Sequence, residues 1–311
     1  MASPVVGKIG LVGPGAVGGY YGGLLALSGQ EVYFHFRSSY DSVQQNGLWL
    51  VHHGDEDRRE PVGGLHAHAS TESIGVCDWV IIASKATANC TLPDLIRPLV
   101  GDHTRLLTLQ NGMGNAENLA DAFGHERTIL AGLCFTCINR TSPHVIESLL
   151  PGYVQFGELG QPISEEGRSI VNAFQSAGVR VRESESLDEA LWRKLCWNIP
   201  FNGLAIAGGG ITTDLILADP VLTQRARHLM LEVQAGAQAH KIEIEDSFLD
   251  RQFELTEPMG PYKPSSLIDF LDGKPVEIDA IWGEALRRGE AKGVEMPELK
   301  KLDQQLREAV G

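Results

Sequence analysis

The feature that most constrains this chain is a glycine-rich turn, Gly13-Pro-Gly-Ala-Val-Gly18, which fits the pattern G-x-G-x-x-G. The apolar run before it is typical of a buried parallel strand, and Ala16–Ser28 has helical spacing that stops at Gly29. A second strand is predicted over Glu31–Arg37, so the turn lies inside a βαβ unit. A lone pattern of this kind is weak evidence, but its position between a strand and a helix makes it informative.

Glycines at these positions permit a tight turn, let the backbone approach a pyrophosphate, and let the helix pack on the strand. The helix N-terminus adds N–H donors and positive dipole. The alternative is a close turn that binds nothing. We expect a dinucleotide site formed by Gly13, Pro14, Gly15, Ala16, Val17 and Gly18.

The end of the second predicted strand indicates which dinucleotide binds. It reads Phe36-Arg37-Ser38-Ser39, and no acidic residue occurs there before Asp41. An NAD site normally carries an acid at this position for the ribose 2′-hydroxyl, whereas an arginine suits a 2′-phosphate. Arg37 therefore predicts NADP, although a surface arginine at a strand end is the simpler alternative.

The order of predicted elements changes part-way along the chain. Strands alternate with helices at first, which predicts an α/β, doubly wound Rossmann-type sheet. After about Glu183 only helices are predicted, so we expect an NADP-binding domain over 1–184 and an all-helical domain over 185–311. The further predicted strands are 49–52, 79–83, 106–109 and 129–135, and the predicted helices are 89–99, 115–122, 187–197, 219–240, 246–254, 276–292 and 297–309.

Composition excludes several classes of protein. The chain has 26 basic and 40 acidic residues, so a net charge of 26 − 40 = −14 gives no general attraction to nucleic acid or anionic membrane. The uncharged stretches 9–30 and 195–213 are too rich in glycine and asparagine for lipid-facing helices. Five cysteines, an odd number, and the lack of a signal-peptide pattern predict reduced thiols in the cytoplasm. The single Cys134-x-x-Cys137 pair has no second pair, and we expect no metal site.

A polar stripe opens the helical half. Lys194, Asn198 and Asn202 are spaced i, i+4, i+8 in apolar sequence, so they share one face of a helix. Hydride transfer to a ketone leaves negative charge on oxygen, which a lysine stabilises before donating a proton. Asparagine amides can orient the carbonyl group and its neighbours. The alternative for Lys194 is a solvated lysine paired with Asp188 or Glu189.

Four further segments, read together with the glycine turn, carry a resemblance to a known family. They are Ser84-Lys-Ala86, Gln110-Asn-Gly-Met-Gly114, Trp192–Asn202 and Ser265–Asp269 continuing to Val276–Asp279. The chain resembles the ketopantoate reductase (2-dehydropantoate 2-reductase) family from Lys8 to about Leu302.

This resemblance implies a fold, a reaction and a set of site residues. The implied fold is a Rossmann domain that binds NADPH, followed by an all-α domain like the C-terminal domain of 6-phosphogluconate dehydrogenase. The implied reaction reduces ketopantoate to pantoate, for pantothenate and coenzyme A biosynthesis. Lys194 falls on the catalytic lysine. The implied substrate residues are Asn111, Asn198, Asn202 and Ser266, and those near the cofactor are Lys85, Asn111 and Glu277. Glu277 and Asp279 are equally compatible with a charge pair at a helix N-terminus.

Departures from the family pattern bear on the substrate. Thr212 stands where an asparagine is expected, and Lys263 occupies another asparagine position, from which it can pair with a carboxylate. Pro200 lies inside the stripe and removes a helix N–H, so it can kink the helix. A different small 2-keto acid or an imine is therefore an alternative substrate, and a non-catalytic NADP-binding sensor is the alternative from another class. A homodimer is possible.

Overall fold

The computed structural model describes residues 5–54 and 57–311. The chain divides into two compact units. The first contains the described residues up to Gln110 together with Asn115–Leu187, and the second contains Asn111–Gly114 together with Asp188–Gly311. The short segment Asn111–Gly114 therefore belongs to the helical unit although it lies within the sequence of the α/β unit.

The first unit is built on one sheet. Its described strands are β1 (Lys8–Val12), β2 (Glu31–His35), β3 (Trp49–His52), β4 (Arg58–Pro61), β5 (His66–His68), β6 (Cys77–Ile82), β7 (Val100–Thr108), β8 (Ile129–Ser142), β9 (Val145–Glu158) and β10 (Val181–Glu183). The order is β4-β3-β9-β8-β7-β6-β1-β2-β5, with β10 on β9. Neighbours from β5 through β8 are all parallel. This part confirms the predicted doubly wound α/β sheet.

The far side of the sheet differs from the predicted all-parallel arrangement. β9 runs antiparallel to β8, and β4 runs antiparallel to β3. The second edge of β9 is shared, because β3 pairs with Val145–Ser148 and β10 with Val154–Phe156. A long hairpin thus extends the parallel core, which the alternation of strands and helices did not predict.

The described part of this unit has five α-helices: α1 (Ala16–Leu27), α2 (Tyr40–Asn46), α3 (Leu92–Ile96), α4 (Asn115–Phe123) and α5 (Glu165–Ser176). Helix α1 packs closely because it carries glycines on its inner face. A Cβ on Gly22 would lie 2.5 Å from Leu11 Cδ1 and 2.7 Å from Phe34 Cε1. Larger residues would push α1 off β1 and β2 and so move the turn that precedes it. The predicted helix 89–99 is shorter than expected, since 3₁₀ turns flank α3.

The second unit is helical throughout, as predicted. Its helices are α6 (Leu187–Ala207), α7 (Thr213–Ala218), α8 (Pro220–Ala239), α9 (Asp246–Thr256), α10 (Ser265–Leu271), α11 (Glu284–Ala291) and α12 (Pro297–Val310). Helix α6 continues through Pro200, ten residues beyond its predicted end at Trp197. The predicted helix 276–292 is divided, because Asp279–Gly283 forms a π-helical turn before α11. No helix among the described residues is long and apolar enough to cross a membrane.

Candidate active site

The glycine turn is fixed by close backbone contacts within the first unit. Gly13 has φ +80°, and a Cβ on it would lie 2.3 Å from the backbone nitrogen of Ser84. Gly15 N donates to Gly13 O at 2.7 Å. A Cβ on Gly18 would lie 2.6 Å from Ala83 Cβ. Gly13 and Gly18 are therefore required by the protein's own packing against the chain that follows β6.

Gly15 differs from these two glycines. Its φ is −73°, and the nearest heavy atom to a Cβ there would be 3.9 Å away. No contact with the described residues demands a glycine at this position. The buried hydroxyl of Ser84 also makes no hydrogen bond with the described residues. An open glycine, an unused hydroxyl and the N-terminus of the twelve-residue helix α1 fit the pyrophosphate of a dinucleotide.

Three cofactor candidates follow the carboxyl ends of neighbouring parallel strands. β1 lies between β2 and β6, at the point where the strand order reverses. The glycine turn follows β1, Arg37 follows β2, and Lys85 follows β6. Ligands of open α/β sheets bind at such a switch point. Both Arg37 and Lys85 are exposed to solvent.

A buried histidine that favours the uncharged form lies at the end of β2, beside the turn that carries Arg37. His35, the last residue of β2, is 4% exposed, and burial lowers the pKa of its imidazole. The Arg37 guanidinium acts in the same direction on this pKa. Tyr40 N donates to Arg37 O at 3.1 Å as α2 begins. The positive charge offered at this turn is therefore that of Arg37.

An amide network joins the chain segments after β6 and β7. Asn89 Nδ2 donates to Asn115 Oδ1 at 2.8 Å, and Gln110 Nε2 donates to Asn89 Oδ1 at 2.8 Å. Thr108 Oγ1 donates to Gln110 Oε1 at 3.0 Å. The network fixes Gln110, the residue before Asn111. Sequence analysis identified neither this network nor the Ser84 hydroxyl, and only the polarity of the strand-end segments could have indicated them.

The second unit brings Lys194 and Asn111 together. Lys194 Nζ donates to Asn111 Oδ1 at 3.0 Å, although the residues are 83 apart in sequence. Lys194, Asn198 and Asn202 are only 9%, 9% and 2% exposed. The predicted stripe is therefore a buried polar face of α6. Glu189, the alternative partner considered for Lys194, accepts from Arg193 Nε at 2.8 Å.

Backbone contacts hold Asn111 in place. Met113 N donates to Ala280 O at 2.8 Å. Gly112 has φ +89°, and a Cβ on it would lie 2.3 Å from the same carbonyl oxygen. Ala280 lies in the π-helical turn, and Glu277, just before that turn, is 4% exposed. The irregular turn thus supports the segment that carries the partner of Lys194.

The stripe also contacts helix α10. Asn202 Oδ1 accepts from Ser266 N at 3.0 Å, and Ser266 is 2% exposed. Just before α10, the exposed Lys263 lies on a segment fixed by Thr213, whose backbone N–H donates to Tyr262 O at 3.1 Å. The Thr212 hydroxyl donates to the Asp214 carboxylate at the start of α7. Thr212 therefore has a local structural contact.

The geometry thus forms two clusters. The glycine turn lies beside Ser84 in the first unit, and in the second unit Lys194 contacts Asn111 while Asn202 contacts Ser266. In the described part of the chain, no three His, Cys, Asp or Glu side chains are grouped so as to hold a metal ion.

Comparison with known proteins gives one consistent result. The family model "Ketopantoate reductase PanE/ApbA" matches residues 9–161, and its C-terminal counterpart matches 186–309. The chain belongs to the ketopantoate reductase family. It is 36% identical to a 2-dehydropantoate 2-reductase of a Nostoc species, over 96% of this chain and 94% of that protein. A similar enzyme of Mesorhizobium japonicum is 28% identical, over 88% and 89% of the two chains.

Solved structures agree with this family assignment. The crystal structure of 2-dehydropantoate 2-reductase from Geobacter metallireducens superposes with a TM-score of 0.92 at 40% identity, covering 97% of this chain and 99% of that one. Ketopantoate reductases are NADP-dependent oxidoreductases, which is the enzyme class predicted from the sequence. The residues of both clusters lie inside the two matched regions.

Proposed function

We propose that this protein reduces 2-dehydropantoate to pantoate with NADPH, and that Lys194 donates the proton. The observation that carries the proposal is the buried Lys194, whose Nζ is held by Asn111 Oδ1 at 3.0 Å on a helix face shared with Asn198 and Asn202. A lysine held in this way is poised to interact with an oxygen that becomes negatively charged. Family membership supplies the substrate.

The proposed chemistry at Lys194 concerns a single oxygen atom. When bound, NADPH supplies the hydride that adds to C2 of the keto acid. The Lys194 ammonium then stabilises the negative charge on the C2 oxygen and donates a proton to it, leaving an alcohol and a neutral amine. The Asn111 side-chain oxygen accepts one of the ammonium hydrogens and so directs Nζ. We therefore propose that Asn111 is a substrate-site residue that positions Lys194. We also propose that Asn111 lines the cofactor site.

The other proposed substrate residues are positioned by α6 and α10. We assign Asn198, Asn202 and Ser266 to hydrogen bonds with the hydroxyl and carboxylate groups of the substrate. The bond from Ser266 N to Asn202 Oδ1 fixes the orientation of that amide, whose NH₂ group is then the donor offered to substrate. Lys263 is proposed to pair with the substrate carboxylate.

We assign cofactor binding to residues 1–184 and substrate binding to 185–311. Gly13, Pro14, Gly15, Ala16, Val17 and Gly18 would hold the pyrophosphate, Arg37 the 2′-phosphate, and Lys85 and Glu277 the remaining polar groups of the cofactor. The fit rests on the open side of Gly15, the unused Ser84 hydroxyl and the exposed Arg37. A guanidinium forms charge-assisted hydrogen bonds to a phosphate group.

A second candidate function is the reduction of another small 2-keto acid or of an imine. Lys263 and Thr212 favour it, because both stand where the family pattern has asparagine. The non-catalytic sensor is less well supported, since a sensor would not need the buried lysine beside Asn111.

The discriminating experiment follows NADPH absorbance with 2-dehydropantoate and then with a panel of other 2-keto acids, with and without ammonia. The proposal expects the highest kcat/KM for 2-dehydropantoate. A higher value for another acid would replace the substrate assignment. NADPH binding with no turnover on any acid would favour the sensor.

We propose a cytoplasmic enzyme that can form a homodimer. All five cysteines are free thiols. Burial raises the pKa of Cys77 to about 11 and that of Cys196 to about 12, so both stay protonated and unreactive. We propose the apolar side chains of Val221 and Leu215, which are 73% and 52% exposed, as the dimer contact. Light scattering coupled to size exclusion tests the dimer, and a monomer mass at high protein concentration would refute it.

A further inference from the structure

A surface cleft in the first unit contains none of the residues assigned above. Its volume is about 330 Å³, near the lower limit for sites that bind small organic molecules. Helix α1, the strand β9 and the loop between α5 and β10 form its walls. The nine lining residues are Tyr20, Tyr21, Leu24, Leu150, Pro151, Gly152, Gly178, Val179 and Arg180.

The walls of the cleft are apolar and held in place. Tyr20 donates or accepts a hydrogen bond with His52 Nδ1 at 3.0 Å, and the ring of Tyr21 packs against Phe174 with centroids 5.7 Å apart. Gly152 has φ +55°, and a Cβ on it would lie 1.7 Å from Phe135 O, so β9 meets β8 closely at this wall. Leu150 is 59% exposed at the cleft. An apolar ligand would cover that side chain.

The buried tyrosine of the cleft offers no free polar group. Tyr21 is 1% exposed, and its hydroxyl interacts with the Thr136 side chain. Burial raises the pKa of this hydroxyl above its ordinary value. Tyr21 therefore contributes its ring to the apolar wall of the cleft.

Arg180 supplies the charge of the cleft. Arg180 is exposed and is the one charged residue among the nine that line the cleft. Its guanidinium forms no hydrogen bond or ion pair within the described part of the chain, whereas its backbone oxygen accepts from Val154 N at 2.9 Å. This backbone contact fixes the position of the Arg180 Cα atom, from which the side chain extends. In a chain of net charge −14, a local unpaired cation is what an anionic ligand requires.

We propose that this cleft binds a small amphipathic monocarboxylate, with an apolar body about the size of a phenyl ring. The tyrosine and aliphatic walls take the apolar part, and Arg180 pairs with the carboxylate. One guanidinium with no second cation in the lining suits a single negative charge. This site is separate from the proposed reaction and does not depend on it.

The test uses methyl NMR of the full chain, with phenylacetate as the probe and phenylacetamide as its uncharged equivalent. Phenylacetate should shift the methyl signals of Leu24, Leu150 and Val179, with a dissociation constant on the order of 1 mM. The amide should bind more weakly. Leu267, next to Ser266, reports on the proposed substrate site, so shifts confined to Leu267 would overturn the proposal.

A pair of arginine variants tests the charge of the cleft. Arg180→Gln should weaken phenylacetate binding roughly fivefold and leave the amide unchanged. Arg182→Gln is the matched control, because Arg182 stacks on Tyr153 at 3.9 Å and does not line the cleft. Equal binding of acid and amide, or equal effects of the two arginine variants, would rule the site out.

Discussion

The two clusters of this protein are built in different ways. The glycine turn is made from backbone. The contacts that require its glycines come from a few consecutive residues and from the chain after the neighbouring strand β6. The face of α6 is made from side chains whose partners lie 83 and 64 residues away in sequence. The comparison teaches that a backbone site can be recognised from a local pattern, whereas a side-chain site depends on packing of the whole unit.

The largest loss of stability is expected at the glycine of the turn that has no space for a side chain. Gly13→Ala would force a Cβ to 2.3 Å from Ser84 N at φ +80°. We expect it to lower the free energy of unfolding by about 2 to 5 kcal/mol, from the strained φ and the overlap together. Chemical denaturation measures this loss.

Gly15→Ala is the matched control, because the nearest heavy atom to its Cβ would be 3.9 Å away. It should leave the free energy of unfolding within about 0.5 kcal/mol of the parent and still weaken NADPH binding in a fluorescence titration. If Gly15→Ala bound NADPH normally, the open side of the turn would not be the pyrophosphate site.

The next largest effect is expected at Arg37, the side chain proposed to bind the 2′-phosphate of the cofactor. Arg37→Ala should weaken NADPH binding by about 1.5 to 3 kcal/mol, because a charge-assisted contact to the 2′-phosphate is lost, and should leave NADH binding nearly unchanged. Arg97→Ala, at an exposed arginine paired with Asp94, is the control. Equal weakening of both cofactors would contradict the NADP assignment.

A smaller effect tests the long-range contacts of α6. Asn202→Ala removes the acceptor of the buried Ser266 N–H. It should lower the free energy of unfolding by about 1 to 3 kcal/mol and raise KM for the keto acid. Gln238→Ala, on an exposed position of α8, should do neither. A stable Asn202→Ala variant with unchanged KM would show that the amide has neither role.

The smallest effect is a pH dependence in the first unit. Burial lowers the pKa of His35 below its unfolded value. Folding therefore disfavours the protonated imidazole, and this contribution to stability is present above the unfolded pKa and is lost as pH falls through the folded one. Below neutral pH, His35→Gln should lose less stability than the parent, measured by denaturation at several pH values. His103→Gln, on an exposed strand position, should follow the parent.

Much of the fold was predictable because its signals are local. Helix α1 begins and β1 ends as the glycine turn and its flanking periodicity predict. The β8–β9 hairpin was not predictable. The antiparallel pairing of these two long strands depends on tertiary packing, which the alternation of strands and helices does not reveal. The π-helical turn at Asp279–Gly283 was also missed, since its supporting contact with Met113 joins distant segments.

The site was predictable to a similar degree. Spacing alone placed Lys194, Asn198 and Asn202 on one face. The family resemblance gave Asn111 and Ser266 as site residues. It did not predict that Asn111 contacts Lys194 or that Ser266 contacts Asn202. Ser84 lies in a segment that carries the family resemblance, but the resemblance assigns a role there only to Lys85.

The central claim is that Lys194 supplies the charge and the proton for reduction. It is tested most directly by single-turnover hydride transfer from NADPH to 2-dehydropantoate in Lys194→Met, with Arg193→Gln as the neighbouring control. The account predicts that Lys194→Met slows the reaction by about a thousandfold while binding NADPH normally. Arg193→Gln should bind NADPH normally and react at close to the parent rate. Hydride transfer at the parent rate in Lys194→Met would contradict it.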